Sequence, residues 1–599
     1  SKDTTQTFLF EKLLNNKSET LSHESLTVEY TSNPVWSAVQ ALPYLIDYPY
    51  ECSEQTFNRL YANTLASYIV HKSPRLQQVF EQWKKDSTAL LSNLQKNQEL
   101  KQLLLQETPW VLQAETEEQQ KKNIALLFDL SRLSSQTELF IQKLEQLQLA
   151  DGGFAWFKGG NSDRYITNYI LTGIGKLKRL GAMTPDIALR LRNIILQAIR
   201  YSDKLITEDY RQLIKSNANL RKQQVSGRQV DYLYMRSFFA DIAPLSAKEA
   251  AYYYDQAKLY WTSLNAYYKA QLGLIAYRKK DEKFVTGNIL PAILENASSD
   301  TKLGMYWKTT YTCFWYQSPI EHQSMMIAFI AEAGNGNYNK QLDDMKTWLL
   351  LNKQTNNWRT TIATADACYA LLLNGSNWMD NEKQVVIRLG NYTAASNLQK
   401  TEAGTGYFKK RIDGKIVNGQ MGEINVSVRS NNPKSSSPSW GSVYWQYFED
   451  MDKISTAGSP LSLSKQLFIE KSTDKGKVLE PVKDGEELKV GDRIISRIIL
   501  RSDRDMDYLH LKDMRAAAME PVNVLSGYKW QDRLGYYEST KDVATDFFID
   551  HLNKGTYVFE YSLFVTHTGV FSVGIATIQN MYAPEFSSHS EGIKIRVSK

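Results

Sequence analysis

The chain changes its periodicity along its length, and that change limits what it can fold into. From about Pro34 to Trp378 apolar residues recur at i, i+3, i+4 and i+7, as in "NRLYANTLASYIV", "SLNAYYKAQLGLIAYRKK" and "HQSMMIAFIAEAG". That spacing collects them on one face of a helix. After Asp380 apolar residues alternate instead, in "KQVVIRLGNY", "EINVSVRS" and "GSVYWQYF", with a Pro/Ser-rich loop, "NNPKSSSPS", between two of these strands. "ESLTVEYTS", at 24–32, alternates in the same way ahead of the helices. A second strand series begins near Leu461 and includes "KQLFIEK", "DRIISRIILRS" and "GTYVFEYSLFV". In the last of these, Tyr557, Phe559, Tyr561, Leu563 and Val565 share a face, as a sandwich strand requires. The expected class is α+β and multidomain.

Within the helical part a unit recurs loosely: a Gly- or Asn-rich turn with an aromatic, then a Thr- or Ser-led helix rich in small residues. It appears as "DGGFAWFKGGNSDRYITNYILTGIGKL" from Asp151, as "NNWRTTIATADACYALLLNG" from Asn356, and more weakly as "FWYQSPIEHQSMMIAFIAEAG" from Phe314. Small residues let helices approach closely. Repeated helix pairs close into a toroid or run on as a solenoid, and the period alone fits both.

At 599 residues the length corresponds to about four domains. The net charge of +6 is small, with basic and acidic residues interspersed, so nothing here forms the basic stripe of a nucleic-acid binder. No apolar run approaches the ~18 residues of a membrane span. The start, "SKDTTQTFLFEK", is neither a signal peptide nor a lipidation site and reads as a cut into a longer chain. Seven histidines without an HExxH, no Cys or His pairs at zinc spacing and no glycine-rich phosphate loop argue for no metal and no cofactor.

Three cysteines make no disulfide framework. Cys313 in "YTCFWYQ" and Cys368 in "TADACYALLL" read as small buried residues. Cys52 differs, because it stands in "YPYECSEQTF" with Gln55 three residues on. In a first helical turn those two side chains share a face. A thiol and a glutamine carboxamide in that relation can condense, with loss of ammonia, to an internal thioester. The plainer alternative is a half-buried thiol at a helix start with Gln55 in solvent.

The company of the motif favours the first reading. "YPYECSEQT", the helices, "DGGFAWF", "WRTTIATADACYALLL" and a terminal β part with "GTYVFEYSLFVTHTGVFSVGIATIQNMYAPEF" resemble, in order and over nearly the whole chain, the alpha-2-macroglobulin family, its large bacterial members above all. The resemblance implies an α/α-toroid of helical hairpins inserted in a small β domain, with a C-terminal β-sandwich. Residues 1–35 would be the end of a preceding segment and the first half of the split, CUB-like β domain. Residues 36–378 would be the thioester-containing helical domain, 379–457 the second β half, and 458–599 the receptor-binding-like sandwich. Cys52 and Gln55 match the thioester pair and Glu54 belongs to the motif, while Ser53 replaces a glycine common in animal members.

A thioester in water must be kept dry by apolar cover. Tyr48 and Tyr50 lie close in sequence. The resemblance adds Met581 and Tyr582 from "NMYAPEF", for which ordinary sandwich packing is an equal reading. Trp156 and Phe157 are expected in the helical core. Some family members relay the acyl group through a histidine, and His322 is the candidate here, with His71 the other histidine of the helical part. The function implied is a single-use protease trap, not an enzyme, in which bait cleavage exposes the thioester to lysine amines of the attacker. Its partners would be target proteases, upstream macroglobulin domains of the same protein and components of the cell envelope, with no nucleic acid. The location implied is the periplasm or cell surface, in a host-defence role.

Two other readings stay open. One is a polysaccharide-active enzyme, which needs paired carboxylates across a cleft. Asp151 and Asp163 are available for it, although carboxylates in turns commonly cap helices. The other is a binding scaffold in which no thioester forms.

Overall fold

The computed structural model describes residues 3–33, 41–42, 45–46, 52–72, 130–245, 248–300, 303–308, 319–352, 358, 360–373, 383–402, 404–430, 439–458, 461–474, 476–483, 486–531, 533–581 and 586–599. Among the described residues ten longer helices occupy the middle: α1 (Ser53–Lys72), α2 (Leu130–Leu147), α3 (Arg164–Leu180), α4 (Pro185–Lys215), α5 (Gly227–Arg236), α6 (Lys248–Leu259), α7 (Ala266–Arg278), α8 (Pro319–Ala333), α9 (Asn339–Leu351) and α10 (Thr361–Leu372).

Their ends follow local chemistry. Asp163 caps α3 by accepting from the Ile166 N–H, Thr184 caps α4 ahead of Pro185, and Thr360 caps α10 by accepting from the Ala363 N–H. Gly181 ends α3 at φ +72°, the left-handed conformation that costs a glycine least.

Six of the helices pack in a cycle. α1 lies on α3, α3 on α5, α5 on α7, α7 on α8, α8 on α10, and α10 returns to α1. The remaining four pack outside, α2 on α1, α4 on α3, α6 on α5 and α9 on α8. Small residues make the close approaches possible. A Cβ on Gly173 of α3 would stand 2.3 Å from the Phe57 ring of α1, and one on Gly273 of α7 would stand 2.4 Å from Phe329 of α8. Every residue of α10 is buried, which its small and apolar composition permits on all sides.

The β elements before and after the helices belong to common sheets. Strand Ser22–Thr31 pairs antiparallel with both Phe408–Asp413 and Trp440–Phe448, and Asp3–Leu9 pairs with Glu423–Ser430. Leu26, Val28 and Tyr30 therefore share one core with Val385, Ile387, Phe408 and Ile412. The helices form an excursion between strands of one β unit.

The chain ends in a seven-stranded and a five-stranded sheet, with a further three-stranded one. Leu463, Ile498, Leu511, Phe547, Ile549 and Phe559 are buried in a shared cluster between them. In strand Gly555–Val565 the odd-numbered residues are buried or half-buried, with Phe559, Leu563 and Val565 fully covered, because the pleat turns alternate side chains inward. The class is α+β.

Candidate functional site

Cys52 stands immediately before α1 and is buried. Its carbonyl accepts the first intrahelical bond, from the Thr56 N–H at 2.9 Å, which makes it the N-cap residue. Gln55 turns its side chain back, and its Oε1 accepts from the Cys52 backbone N–H at 3.4 Å. That is one arm of a capping box, with cysteine where serine or threonine usually stands. The thiol donates to Glu54 Oε2 at 3.7 Å. Burial pushes the thiol above its ordinary pKa. The backbone amides of Gln55 and Glu54 pull the other way, and the charge of Glu54 adds to the rise.

Glu54, for which the motif alone suggests no task, ties three helices together. Its Oε1 accepts from Asn58 Nδ2 at 2.5 Å and from Thr361 Oγ1 of α10 at 2.6 Å. Asn58 Oδ1 in turn accepts from the Tyr169 hydroxyl of α3 at 2.7 Å. Burial raises the Glu54 carboxyl above its usual range, and the bonds from Thr361 and Cys52 oppose that rise.

The "DGGFAWF" turn closes over this helix start. The Trp156 carbonyl accepts from the Ser53 N–H at 3.0 Å, satisfying one of the amides that a first turn leaves open. The Trp156 ring stacks on Tyr165 at 5.9 Å, Tyr165 stacks on Tyr169 at 6.3 Å, and Tyr169 meets Phe57 edge-on at 5.9 Å. Trp156 is half-buried against the helical core, in line with expectation. Phe157 is not: it is 67% exposed, turned outward on the loop that continues through Gly159 and Gly160.

The remaining candidates are scattered. Tyr48, Tyr50 and Tyr582 lie outside the described residues, as does Cys313. Met581 is buried at the end of strand Ala576–Asn580, where its N–H donates to the Tyr508 carbonyl at 2.9 Å within the terminal unit. His322 on α8 is buried between Tyr267 and Trp307, and burial drives its pKa down to about 4, so the ring is neutral near pH 7. His71 is exposed and bonds the Ser67 carbonyl, ~28 Å along α1 from Cys52 at 1.5 Å per residue. Asp151 accepts from Ser162 Oγ and the Gly153 N–H, and Asp163 caps α3, so both carboxylates hold turns.

A cavity of about 480 Å³ opens on the axis of the helix cycle, lined from all six of its helices, with Phe57, Asn58 and Tyr61 contributed by α1. Sequence reasoning missed it, and missed Asn58, Thr361 and Tyr169 as well. Asn58 and Tyr169 carried a weak signal, each four residues after a partner on its own helix (Glu54 and Tyr165). Among the described residues no helix is long and apolar enough to cross a membrane.

A comparison with curated proteins finds no match. Among solved structures, native Escherichia coli alpha-2-macroglobulin from domain MG7 to the C-terminus is 13% identical, with TM-score 0.38, covering all of this chain and 81% of that one. The trypsin-activated E. coli protein is 13% identical, with TM-score 0.44, and Salmonella alpha-2-macroglobulin reacted with methylamine is 15% identical, with TM-score 0.36. All of this chain is covered in both, against 36% and 34% of theirs. This chain thus spans about a third of the length of those longer proteins. Residues 461–585, in the terminal β unit, match the model of the bacterial alpha-2-macroglobulin MG10 domain.

Proposed function

We propose that this chain is the C-terminal part of a single-use protease trap, whose acyl donor is a thioester between Cys52 and Gln55. The observation that carries the reading is the first turn of α1, where the Gln55 carboxamide folds back onto Cys52 in a buried setting beneath Trp156. Attack of Cys52 Sγ on the Gln55 carboxamide carbon forms the C–S bond and breaks the C–N bond. The nitrogen leaves as ammonia with the thiol proton. A lysine amine of a captured protease then attacks the same carbon, an amide forms, and the released sulfur takes up a proton. The bond is spent once, so there is no turnover.

In this reading residues 1–35 and 379–457 are halves of one β domain, 36–378 form an α/α-toroid, and 458–599 are the sandwich. Tyr48, Tyr50, Met581 and Tyr582 are the shield, and the terminal sandwich uncovers the bond by moving away after bait cleavage in the upstream part. His322, between Tyr267 and Trp307, is the candidate relay that would pass the acyl group to hydroxyls, and without such a relay the bond favours amines. The protein works outside the cytoplasm, in the periplasm or at the cell surface.

Intact-mass measurement tests the chemistry. The freshly purified chain is expected one ammonia lighter than its sequence, and methylamine should add at Gln55 while freeing the Cys52 thiol. Cys52→Ala should abolish both effects. A full-mass protein whose Cys52 labels stoichiometrically before amine treatment would leave the polysaccharide-active enzyme and the inert scaffold.

A further inference from the structure

The two carboxylate oxygens of Glu54 face different groups. Oε1 accepts from Asn58 Nδ2 at 2.5 Å and from Thr361 Oγ1 at 2.6 Å, which anchors the side chain to α1 and to α10. Oε2 is turned to the Cys52 thiol, 3.7 Å from Sγ. A tie between helices needs only the first oxygen. The second lies against the nucleophile of the proposed bond, and Cys52 and Glu54 are each only 5% exposed. A proton that moves during thioester formation therefore needs a carrier within the protein.

The chemistry makes three demands. The thiol must lose its proton, because the thiolate is the nucleophile. The Gln55 carbonyl oxygen must hold negative charge while its carbon is tetrahedral, and the nitrogen must gain a proton to leave as ammonia. Gln55 Oε1 already faces the Cys52 N–H at 3.4 Å, a backbone donor at the positive end of α1. After attack, the sulfur and the departing nitrogen are bonded to the same carbon, so a carboxyl in reach of one is in reach of the other. Burial raises the Glu54 carboxyl above its ordinary range, which makes its carboxylate a stronger base than one in solvent.

We propose that Glu54 is the acid–base catalyst that builds the thioester, a role that rests on the reading of Cys52 and Gln55 as the two partners of that bond. Its Oε2 takes the thiol proton as Sγ attacks Gln55 Cδ and the C–S bond forms. The Cys52 N–H holds the oxyanion on Gln55 Oε1. The same carboxyl then gives its proton to Gln55 Nε2, the C–N bond breaks, ammonia leaves, and Glu54 is a carboxylate again. The test follows the full chain, made by cell-free translation and sampled over time by intact mass and by maleimide labelling of Cys52. Wild type is expected to lose one ammonia and the Cys52 thiol together. Glu54→Gln keeps an oxygen for Asn58 and Thr361 but has no base, and should lose ammonia on the order of a hundredfold more slowly. Thr361→Val removes an anchor and keeps the carboxylate, so it should mature faster than Glu54→Gln, whereas a merely structural Glu54 predicts the reverse order. The Glu54→Gln rate should also rise roughly tenfold from about pH 7 to about pH 8, where thiolate must form unaided, while the wild-type rate changes little. Equal rates in wild type and Glu54→Gln, or a Thr361→Val slower than Glu54→Gln, would overturn the proposal and leave the thioester standing. A wild type that never loses ammonia would overturn both.

Discussion

Asp231→Asn should make the helical part more stable at neutral pH and change how that stability depends on pH. The carboxyl sits on α5, where it accepts from Gln271 Nε2 and, at 3.5 Å, from the Tyr268 hydroxyl, and burial pushes its pKa up from 3.8 to about 7. Below pH 3.8 both folded and unfolded chains hold the proton and the group is neutral in effect. As pH rises from there to about 7, the folded chain keeps a proton that the unfolded chain has lost, so stability falls across this window. At 1.36 kcal/mol per pH unit, the gap between 3.8 and about 7 corresponds to ~4 kcal/mol, or roughly 2–4 kcal/mol allowing for solvent that reaches the cavity. Asparagine keeps the shape and an acceptor for Gln271 without the charge. Urea unfolding of both proteins, followed by far-ultraviolet circular dichroism at about pH 5 and pH 8, reads the difference directly. The stability advantage of Asp231→Asn should be larger at pH 8 than at pH 5, by roughly 1–3 kcal/mol. An advantage equal at both pH values would refute the reasoning, because every other titrating group cancels in the comparison.

Three further outcomes are expected. Thr361→Val removes one of the donors to the buried Glu54 carboxylate and should cost about 1–3 kcal/mol in urea unfolding, with Thr361→Ser close to wild type. Gly175→Ala places a Cβ 2.5 Å from Phe238 Cγ and 2.6 Å from its Cβ, atoms too near the backbone to swing aside, so overpacking of about 1–3 kcal/mol should exceed the ~1 kcal/mol that alanine gains in a helix, lowering the melting temperature. His322 has the opposite sign to Asp231: its folded pKa of about 4 lies below the ordinary 6.5, so its contribution is full above pH 6.5 and lost as pH falls toward 4, and His322→Phe should flatten the acid limb of the stability curve between those values.

How much of this could be read from the letters differs from feature to feature. Strand Gly555–Val565 was legible because the pleat fixes which face each side chain takes, whatever lies opposite. The helical stretch was legible for the same kind of reason, and its small residues announced close packing. The cycle of helices was not, since a 3.6-residue period says that a helix has a buried face and nothing about which neighbour covers it. The cavity follows from that closure. Asp231 and Gln271 are ordinary letters in "GRQVDYLYMR" and "AYYKAQLGLIAYR", 40 residues apart, and they pair only when α5 meets α7. Phe157 shows the converse error. Its hydrophobicity suggested the core, but the turn carrying it, held by the Trp156 carbonyl at Ser53, leaves its ring exposed.

In the first turn of α1 Gln55 forms one arm of a capping box, and that geometry bears on the proposed chemistry. A capping box needs an acceptor at the third helical position that reaches back to the N-cap amide, and Gln55 supplies it now. Transfer of the acyl group to an amine leaves an amide at Gln55, whose carbonyl makes the same bond. Hydrolysis leaves a carboxylate there, a stronger acceptor that also suits the positive end of the helix by about 0.3–1 kcal/mol. In either product Cys52 keeps its carbonyl bond to the Thr56 N–H, so α1 retains its start. Spending the bond therefore does not unravel the turn that held it. What changes is local to the sulfur, which regains a proton and can again donate to Glu54, and through Glu54 to Asn58 on α1 and to Tyr169 and Thr361 on two other helices. A signal of reaction passing from the sulfur into the helical part would take this network as its first link, and removing the Thr361 hydroxyl cuts its branch to α10 without touching either partner of the bond.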